Sequence, residues 1–297
     1  MFPDRQLGPH REWKAEVEYL DNIFQNGSAY TVGRVNGDHW LLYLTNPPDG
    51  IRGPHTSPNP PLSDPFPDYT LEILMSDLGT TAREPFCSSL SSSDDPRVHG
   101  ISLSDRLGIT KIFPSHLTNL DAYSFSPCGY SANALVKRGH DSDRIYPLGV
   151  DDMPSIAGAK EGYYTIHVTP EAGWSYASFE CNVPSYSPQS TGTVPDLKSL
   201  VLRVVNIFQP GRLSLTLFIS KQDNLADQGD NIETAQQAFK LALTGPGHIA
   251  CCSILTPNCG QPVDTNKSSS KGYKRTDKIN YEFEGYDLAF ASFELME

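Results

Sequence analysis

A surplus of positive charge is the first thing this chain lacks. Its formal net charge is −12 at pH 7, which excludes binding driven by clustered Lys and Arg on a phosphate backbone, so no nucleic-acid partner is expected. One locally basic stretch, residues 267–278 with five cations, reads as a solvated loop. The negative balance suits a cationic ligand or ordinary colloidal solubility. Long apolar runs are missing as well. No window approaches the roughly 18 to 20 residues of a membrane helix, and Met1-Phe2-Pro3-Asp4-Arg5 does not open an apolar signal segment. Together these absences lead to the expectation of a soluble, cytoplasmic protein with no membrane partner. Cysteine is sparse and lacks paired spacing. Cys87, Cys128, Cys181, Cys251, Cys252 and Cys259 follow neither a zinc pattern nor a secreted disulfide framework, so reduced thiols and no metal site are expected.

What is present is enough apolar residue, 38% of 297, to bury one large or two small cores. Trp13, Val17, Leu20, Ile23 and Phe24 recur at the helical period, with Asn26-Gly27 as the stop. Residues 30–34 and 39–45 are predicted to form a hairpin through Asn36-Gly37, whose residues tolerate positive φ. Eight prolines in 46–67 remove backbone donors and fix φ, which marks an inserted loop. Residues 68–78 turn continuously apolar and suit a strand or a short buried helix, and a carboxylate at Glu72 in their middle is costly to bury unpaired.

Farther along, 98–112 has helical spacing, and strands are expected at 122–125, 130–136, 163–168 and 174–181. The last two alternate most clearly. Residues 137–162 look inserted. Leu197, Leu200, Val201, Val204, Val205 and Phe208 form an apolar helical stripe ended by Pro210-Gly211. Leu213, Leu215 and Leu217 line one face of a strand with Phe218 on the other. Residues 222–271 read as an elaboration in which 231–243 suits a helix, and 272–279 and 286–294 are the last strands. Alternating strands among amphipathic helices predict antiparallel sheets with helices on their outer faces.

The chemistry concentrates between Phe125 and Glu180. Phe125-Ser126-Pro127-Cys128-Gly129-Tyr130-Ser131 is followed by Tyr163-Tyr164-Thr165-Ile166-His167-Val168-Thr169-Pro170-Glu171 and by Trp174-Ser175-Tyr176-Ala177-Ser178-Phe179-Glu180. With Asp68-Tyr69-Thr70-Leu71-Glu72-Ile73-Leu74-Met75, Ile207-Phe208-Gln209-Pro210-Gly211 and Gly272-Tyr273-Lys274-Arg275, these segments resemble S-adenosylmethionine decarboxylase of the eukaryotic, pyruvoyl-dependent type. The resemblance implies a single domain over 1–297: an α+β, four-layer α/β/β/α sandwich of antiparallel sheets, incomplete at the N-terminus, with inserted loops at 46–67, 137–162 and 222–271. It implies a lyase of spermidine and spermine biosynthesis that removes the carboxylate of S-adenosylmethionine.

Decarboxylating an amino acid requires an electron sink conjugated to its nitrogen. The family makes a pyruvoyl group by autocatalytic cleavage of its zymogen at a Glu-Ser-Ser sequence, and the substrate amine forms a Schiff base with it. By resemblance, the Ser131 hydroxyl polarises the processing intermediate, and His167 is the base that removes the α-proton in the elimination. Phe125 stacks on the adenine and Glu171 accepts from both ribose hydroxyls. Asp68, Glu72 and Glu180 are the carboxylates near which putrescine binds as an activator, since gathered carboxylates repel one another unless a dication joins them.

No Glu-Ser-Ser occurs in the 297 residues, and the resemblance begins past that part of the family pattern. The expectation is therefore a fragment of a normal enzyme, a non-catalytic paralogue that regulates an active decarboxylase, or a chain complemented in trans by the missing N-terminal segment. A homodimer is the other partner expected. A serine hydrolase is rejected, because Gly129-Tyr130-Ser131-Ala132-Asn133 lacks the final glycine of a nucleophile elbow and opens no helix.

Overall fold

The structure is a computed structural model that describes residues 6–37, 39–45, 69–87, 94–137, 161–183, 194–220, 229–244, 272–283 and 285–296. The expected loop at 46–67 and most of the expected insertion at 137–162 lie outside the described residues.

The chain opens with helix α1 (Trp13–Asp21), shorter than its apolar period, because Ile23 and Phe24 fall past its end and remain exposed. The expected hairpin follows, formed by β1 (Gly27–Gly33) and β2 (His39–Thr45) with Val32 opposite Trp40, but its connection is longer than a two-residue turn, and neither Asn36 nor Gly37 takes the left-handed conformation expected of them. Next come β3 (Tyr69–Leu78), a single helical turn α2 (Thr80–Arg83), and α3 (Pro96–Leu107). Strands β4 (Thr118–Ser124), β5 (Tyr130–Lys137), β6 (Glu161–Thr169) and β7 (Tyr176–Cys181) precede α4 (Leu197–Phe208) and β8 (Pro210–Ser220). The chain closes with α5 (Gly229–Leu243), β9 (Tyr273–Phe283) and β10 (Tyr286–Leu295).

Eight of these strands form one sheet in the order β4-β5-β6-β7-β3-β8-β10-β9, and every neighbouring pair is antiparallel. Its strands follow a period of two. Alternate residues (Ala132 and Val136 on β5, Ile166 on β6, Phe179 on β7, Ile73 on β3, Leu215 on β8) are fully or almost fully buried on the helical side. The stripe on α4 fills that side, and its first turn is capped by the Asp196 carboxylate, which accepts from Ser199 N at 2.7 Å. Helix α3 comes close enough to β4 that a Cβ at Gly100 would stand 2.6 Å from Ala122 O. Only glycine fits there.

Helix α5 lies inside the stretch expected as an elaboration, yet it is part of the core: Ala235, Phe239, Ala242 and Leu243 are buried in the main apolar cluster. The opposite face of the sheet receives the hairpin. Val32, Phe283, Leu288 and Phe290 form a second buried cluster with Trp40, Leu42 and Leu44 packed on it. Tyr281 OH donates to Thr31 O at 3.2 Å, and Trp40 Nε1 donates to Ser214 Oγ at 3.4 Å. On the hairpin's outer side, Tyr43 OH donates to Asp21 Oδ1 of α1 at 2.7 Å. Four layers result: α1, the two-stranded sheet, the eight-stranded sheet, and α3 with α4 and α5. This is the α+β sandwich of antiparallel sheets expected from the sequence. No described helix is long and apolar enough to cross a membrane.

Candidate active site

The hairpin covers the β8-β10-β9 part of the sheet's inward face. The remainder of that face, on β5, β6, β7 and β3, carries Ser131, His167, Glu180 and Glu72, which are the residues expected to do chemistry. All four sit at the positions of their strands that alternate away from the apolar core.

Ser131 and His167 are direct cross-strand partners on β5 and β6, and Ser131 Oγ lies 2.9 Å from His167 Nδ1. The expected hydroxyl–imidazole pair is thus assembled by sheet register alone. Ser131 is one residue inside a strand, not at a strand-to-helix elbow, which agrees with rejecting a hydrolase. The imidazole is exposed toward the open face, so a group approaching from that side meets it directly.

Phe125 and Glu171 stand at the same end of the sheet, in the turns that follow β4 and β6. The first turn is closed by Phe125 N donating to Gly129 O at 2.9 Å, with Gly129 at φ +113°, a conformation that L side chains rarely adopt. Phe125 is 52% exposed and so is no core residue; its ring is available as a stacking surface. Glu171 follows the buried Pro170 and is exposed, and its carboxylate accepts from the Cys128 thiol. Burial first, then that hydrogen bond and the carboxylate's charge, push the Cys128 thiol up from its ordinary value. The Phe125 turn and Glu171 are therefore in contact through Cys128.

The acidic row lies two residues farther along the same face, about 7 Å at the rise of a strand. Glu72 on β3 and Glu180 on β7 are direct cross-strand partners, a like-charge pairing that is unfavourable by itself. Thr216 Oγ1 donates to Glu72 Oε2 at 3.3 Å, and Tyr163 OH donates to Glu180 Oε1 at 2.5 Å. Burial and then the charge of Glu180 raise the Glu72 pKa, against the opposing bond from Thr216. The Tyr163 phenol is pushed up to about 12, first by its bond to Glu180 and next by burial, so it stays a donor. Asp68, the third expected carboxylate, lies outside the described residues.

Two contributors were not singled out from the sequence. Tyr163 shares the alternation of Thr165 and His167, so its face was readable while its partner was not. Cys128 could be placed in the turn, but its contact with Glu171 depends on how the turns after β4 and β6 meet.

Comparison with known proteins follows the same residues. The model of the adenosylmethionine decarboxylase family matches residues 1–294. A Xenopus laevis protein named S-adenosylmethionine decarboxylase proenzyme is 32% identical over 99% of this chain and 62% of its own length. The Saccharomyces cerevisiae protein of the same name is 31% identical over 77% of this chain and 54% of its own. The one from Drosophila melanogaster is 28% identical over 99% and 65%. The chain thus spans between about half and two thirds of the length of these relatives. The crystal structure of the Trypanosoma brucei AdoMetDC-delta26 monomer superposes with a TM-score of 0.51 at 18% identity, covering 100% of this chain and 81% of that one, a likeness of fold. With the family model matched from end to end and a relative above 30% identity across nearly the whole chain, this protein belongs to the adenosylmethionine decarboxylase family.

Proposed function

We propose that this chain carries the nucleoside-binding and proenzyme-processing residues of an S-adenosylmethionine decarboxylase, the carboxy-lyase that supplies the aminopropyl donor for spermidine and spermine. One observation carries the reading. The Ser131–His167 hydrogen bond of 2.9 Å lies between Phe125 and Glu171 at the sheet end and the Glu72–Glu180 row on the same open face. The expected setting of this reaction is the cytoplasm.

In this reading Phe125 offers an exposed ring to the adenine, and Glu171 has lone pairs enough for both ribose hydroxyls. Binding the ribose competes with the Cys128 thiol for the same carboxylate. Ser131 fixes the imidazole of His167 through Nδ1, which leaves Nε2 to hold or move a proton on the open side. The Glu72–Glu180 pair, which accepts from Tyr163 and Thr216 and has no cationic partner among the described residues, suits a dication such as putrescine, whose charge relieves the repulsion between the carboxylates.

A pyruvoyl group, when bound, supplies the electron sink that decarboxylation needs. The residues fit it in one respect: the open face places a base, a hydroxyl and a nucleoside-binding end side by side. No Glu-Ser-Ser occurs in these 297 residues, and we propose that a Glu-Ser-Ser-bearing segment supplies the group. The test measures labelled carbon dioxide released from carboxyl-labelled S-adenosylmethionine by the chain supplied with such a segment, with and without putrescine. Release that is lost in His167→Ala supports the reading. No release, together with undiminished binding of methylthioadenosine, points to a non-catalytic family member, and no binding either rejects the nucleoside site.

A further inference from the structure

Two thiols outside the catalytic row converge on one dipeptide. Cys87 follows the 3-10 turn Glu84–Phe86, and its Sγ lies 3.9 Å from Pro170 O and 3.8 Å from Arg83 O. Cys128, in the turn after β4, donates to the carboxylate of the next residue, Glu171. A backbone hydrogen bond joins their neighbours, with Gly129 N donating to Phe86 O at 3.0 Å. That hydrogen bond lies one residue from each cysteine, so the two backbone segments run side by side at Cys87 and Cys128, the neighbourhood that a disulfide requires. Cys87 is also close enough to be among the causes that raise the Cys128 thiol, after burial and Glu171. Cys87 is exposed and Cys128 partly so, whereas Cys181, the third described cysteine, is buried in the core.

We propose that Cys87 and Cys128 form a reversible thiol–disulfide pair that links the turn after α2 to the turn after β4 and withdraws the Cys128 thiol from Glu171. The oxidant is a small disulfide such as oxidised glutathione. Exposed Cys87, as its thiolate, attacks one sulfur of that disulfide, and the other half leaves as a thiolate. Cys128 is the poorer first nucleophile, because burial and the neighbouring carboxylate hold its proton. In the second step that proton passes by way of Glu171 to water. The Cys128 thiolate then attacks the Cys87 sulfur and expels the remaining half. The protein gives up two electrons and two protons, and the small disulfide is reduced to two thiols. Any effect on the nucleoside rests on the proposed role of Glu171; formation of the disulfide does not.

The experiment treats the full 297-residue chain with oxidised glutathione and maps it by non-reducing proteolysis and mass spectrometry. The expected product is a joined pair of peptides carrying Cys87 and Cys128, lighter than their sum by two hydrogens and separated by dithiothreitol. Cys128→Ser should instead leave Cys87 as a mixed disulfide with glutathione, and Cys87→Ser should leave Cys128 unmodified. Separate glutathione adducts on both cysteines of the parent chain, or Cys87 joined to Cys251, Cys252 or Cys259, overturns the proposal. Methylthioadenosine affinity serves as an independent readout. A gain of about tenfold on oxidation, about one charge-assisted hydrogen bond freed for the ribose hydroxyls, that is absent in Cys87→Ser supports the coupling. A joined peptide with unchanged affinity supports the pair and counts against the Glu171 role.

Discussion

The inward face of the large sheet has two halves of opposite chemistry. Under the hairpin, Phe290, Leu288 and Phe218 lie on β10 and β8 among Trp40, Leu42 and Val32, and the half behaves as a core. On β5, β6, β7 and β3 the same face presents Ser131, Asn133, His167, Thr165, Glu180 and Glu72, all at least partly accessible. The backbone pattern is continuous across the two halves, and Glu72 on β3 is the direct cross-strand partner of Thr216 on β8, which in turn faces Phe290 on β10. Stability and chemistry are thus divided by what covers the sheet and not by the sheet itself. The helical side supports both halves equally, with Phe179 behind the polar half and Phe293 behind the apolar one.

The largest effect should come from attacking the apolar half. Phe290 is fully buried, and Phe290→Ala is expected to destabilise the fold by about 3 to 5 kcal/mol in urea unfolding, through lost transfer energy and the cavity left behind. Leu135 on the polar half is 48% exposed, and Leu135→Ala should change stability by no more than about 0.5 kcal/mol. Equal costs at the two positions would dissolve the distinction.

Within the polar half, ligand binding is the sharper readout. Glu171→Gln removes the charge from the acceptor proposed for the ribose hydroxyls and is expected to weaken methylthioadenosine by about 10- to 100-fold, the range for hydrogen bonds to charged groups. Phe125→Ala should cost about tenfold, at the low end of base–aromatic stacking. Neither substitution should lower the unfolding midpoint, because both side chains are exposed. Loss of binding accompanied by unfolding would show that the turns after β4 and β6 hold the sheet together rather than a ligand.

Much of this division could be read from the chain because it is local. Alternation placed Thr165 and His167 on one face of β6 and Ile166 and Val168 on the other, and the stripe on α4 needed no partner to be recognised. Strand order could not be read that way. The Glu72–Glu180 contact joins residues more than a hundred positions apart through the pairing of β3 with β7, and periodicity carries no information about which strand lies beside which. Family resemblance put those carboxylates together, and the register gives them a geometry. Strand β10 shows the opposite limit. Leu288 and Phe290 are buried on one of its faces and Ala289, Ala291 and Phe293 on the other, because the hairpin covers one side and α5 the other, so no alternation of apolar and polar residues marks it. Helix α5 was legible as a helix at 231–243, but the loop-like composition around it made it look like part of an elaboration, and only its packing against α4 and β10 shows it to be part of the core.

The smallest expected effect tests the boundary between the halves, where Glu72 meets Thr216. The Glu72 carboxyl is raised above its ordinary value of 4.5 by burial and by Glu180, so the folded state holds this proton more tightly than the unfolded chain. Stability from this group is therefore fully present below the unfolded pKa and declines as pH rises through the raised folded pKa. Glu72→Gln should flatten that part of the pH–stability curve and raise the melting temperature modestly at neutral pH. A diamine should do the same for the parent chain, since a ligand that binds only the folded state stabilises it in proportion to its saturation. If putrescine raises the melting temperature of Glu72→Gln and Glu180→Gln as much as that of the parent, these two carboxylates are not its site. The polar half would then owe its acidic row to something other than a dication.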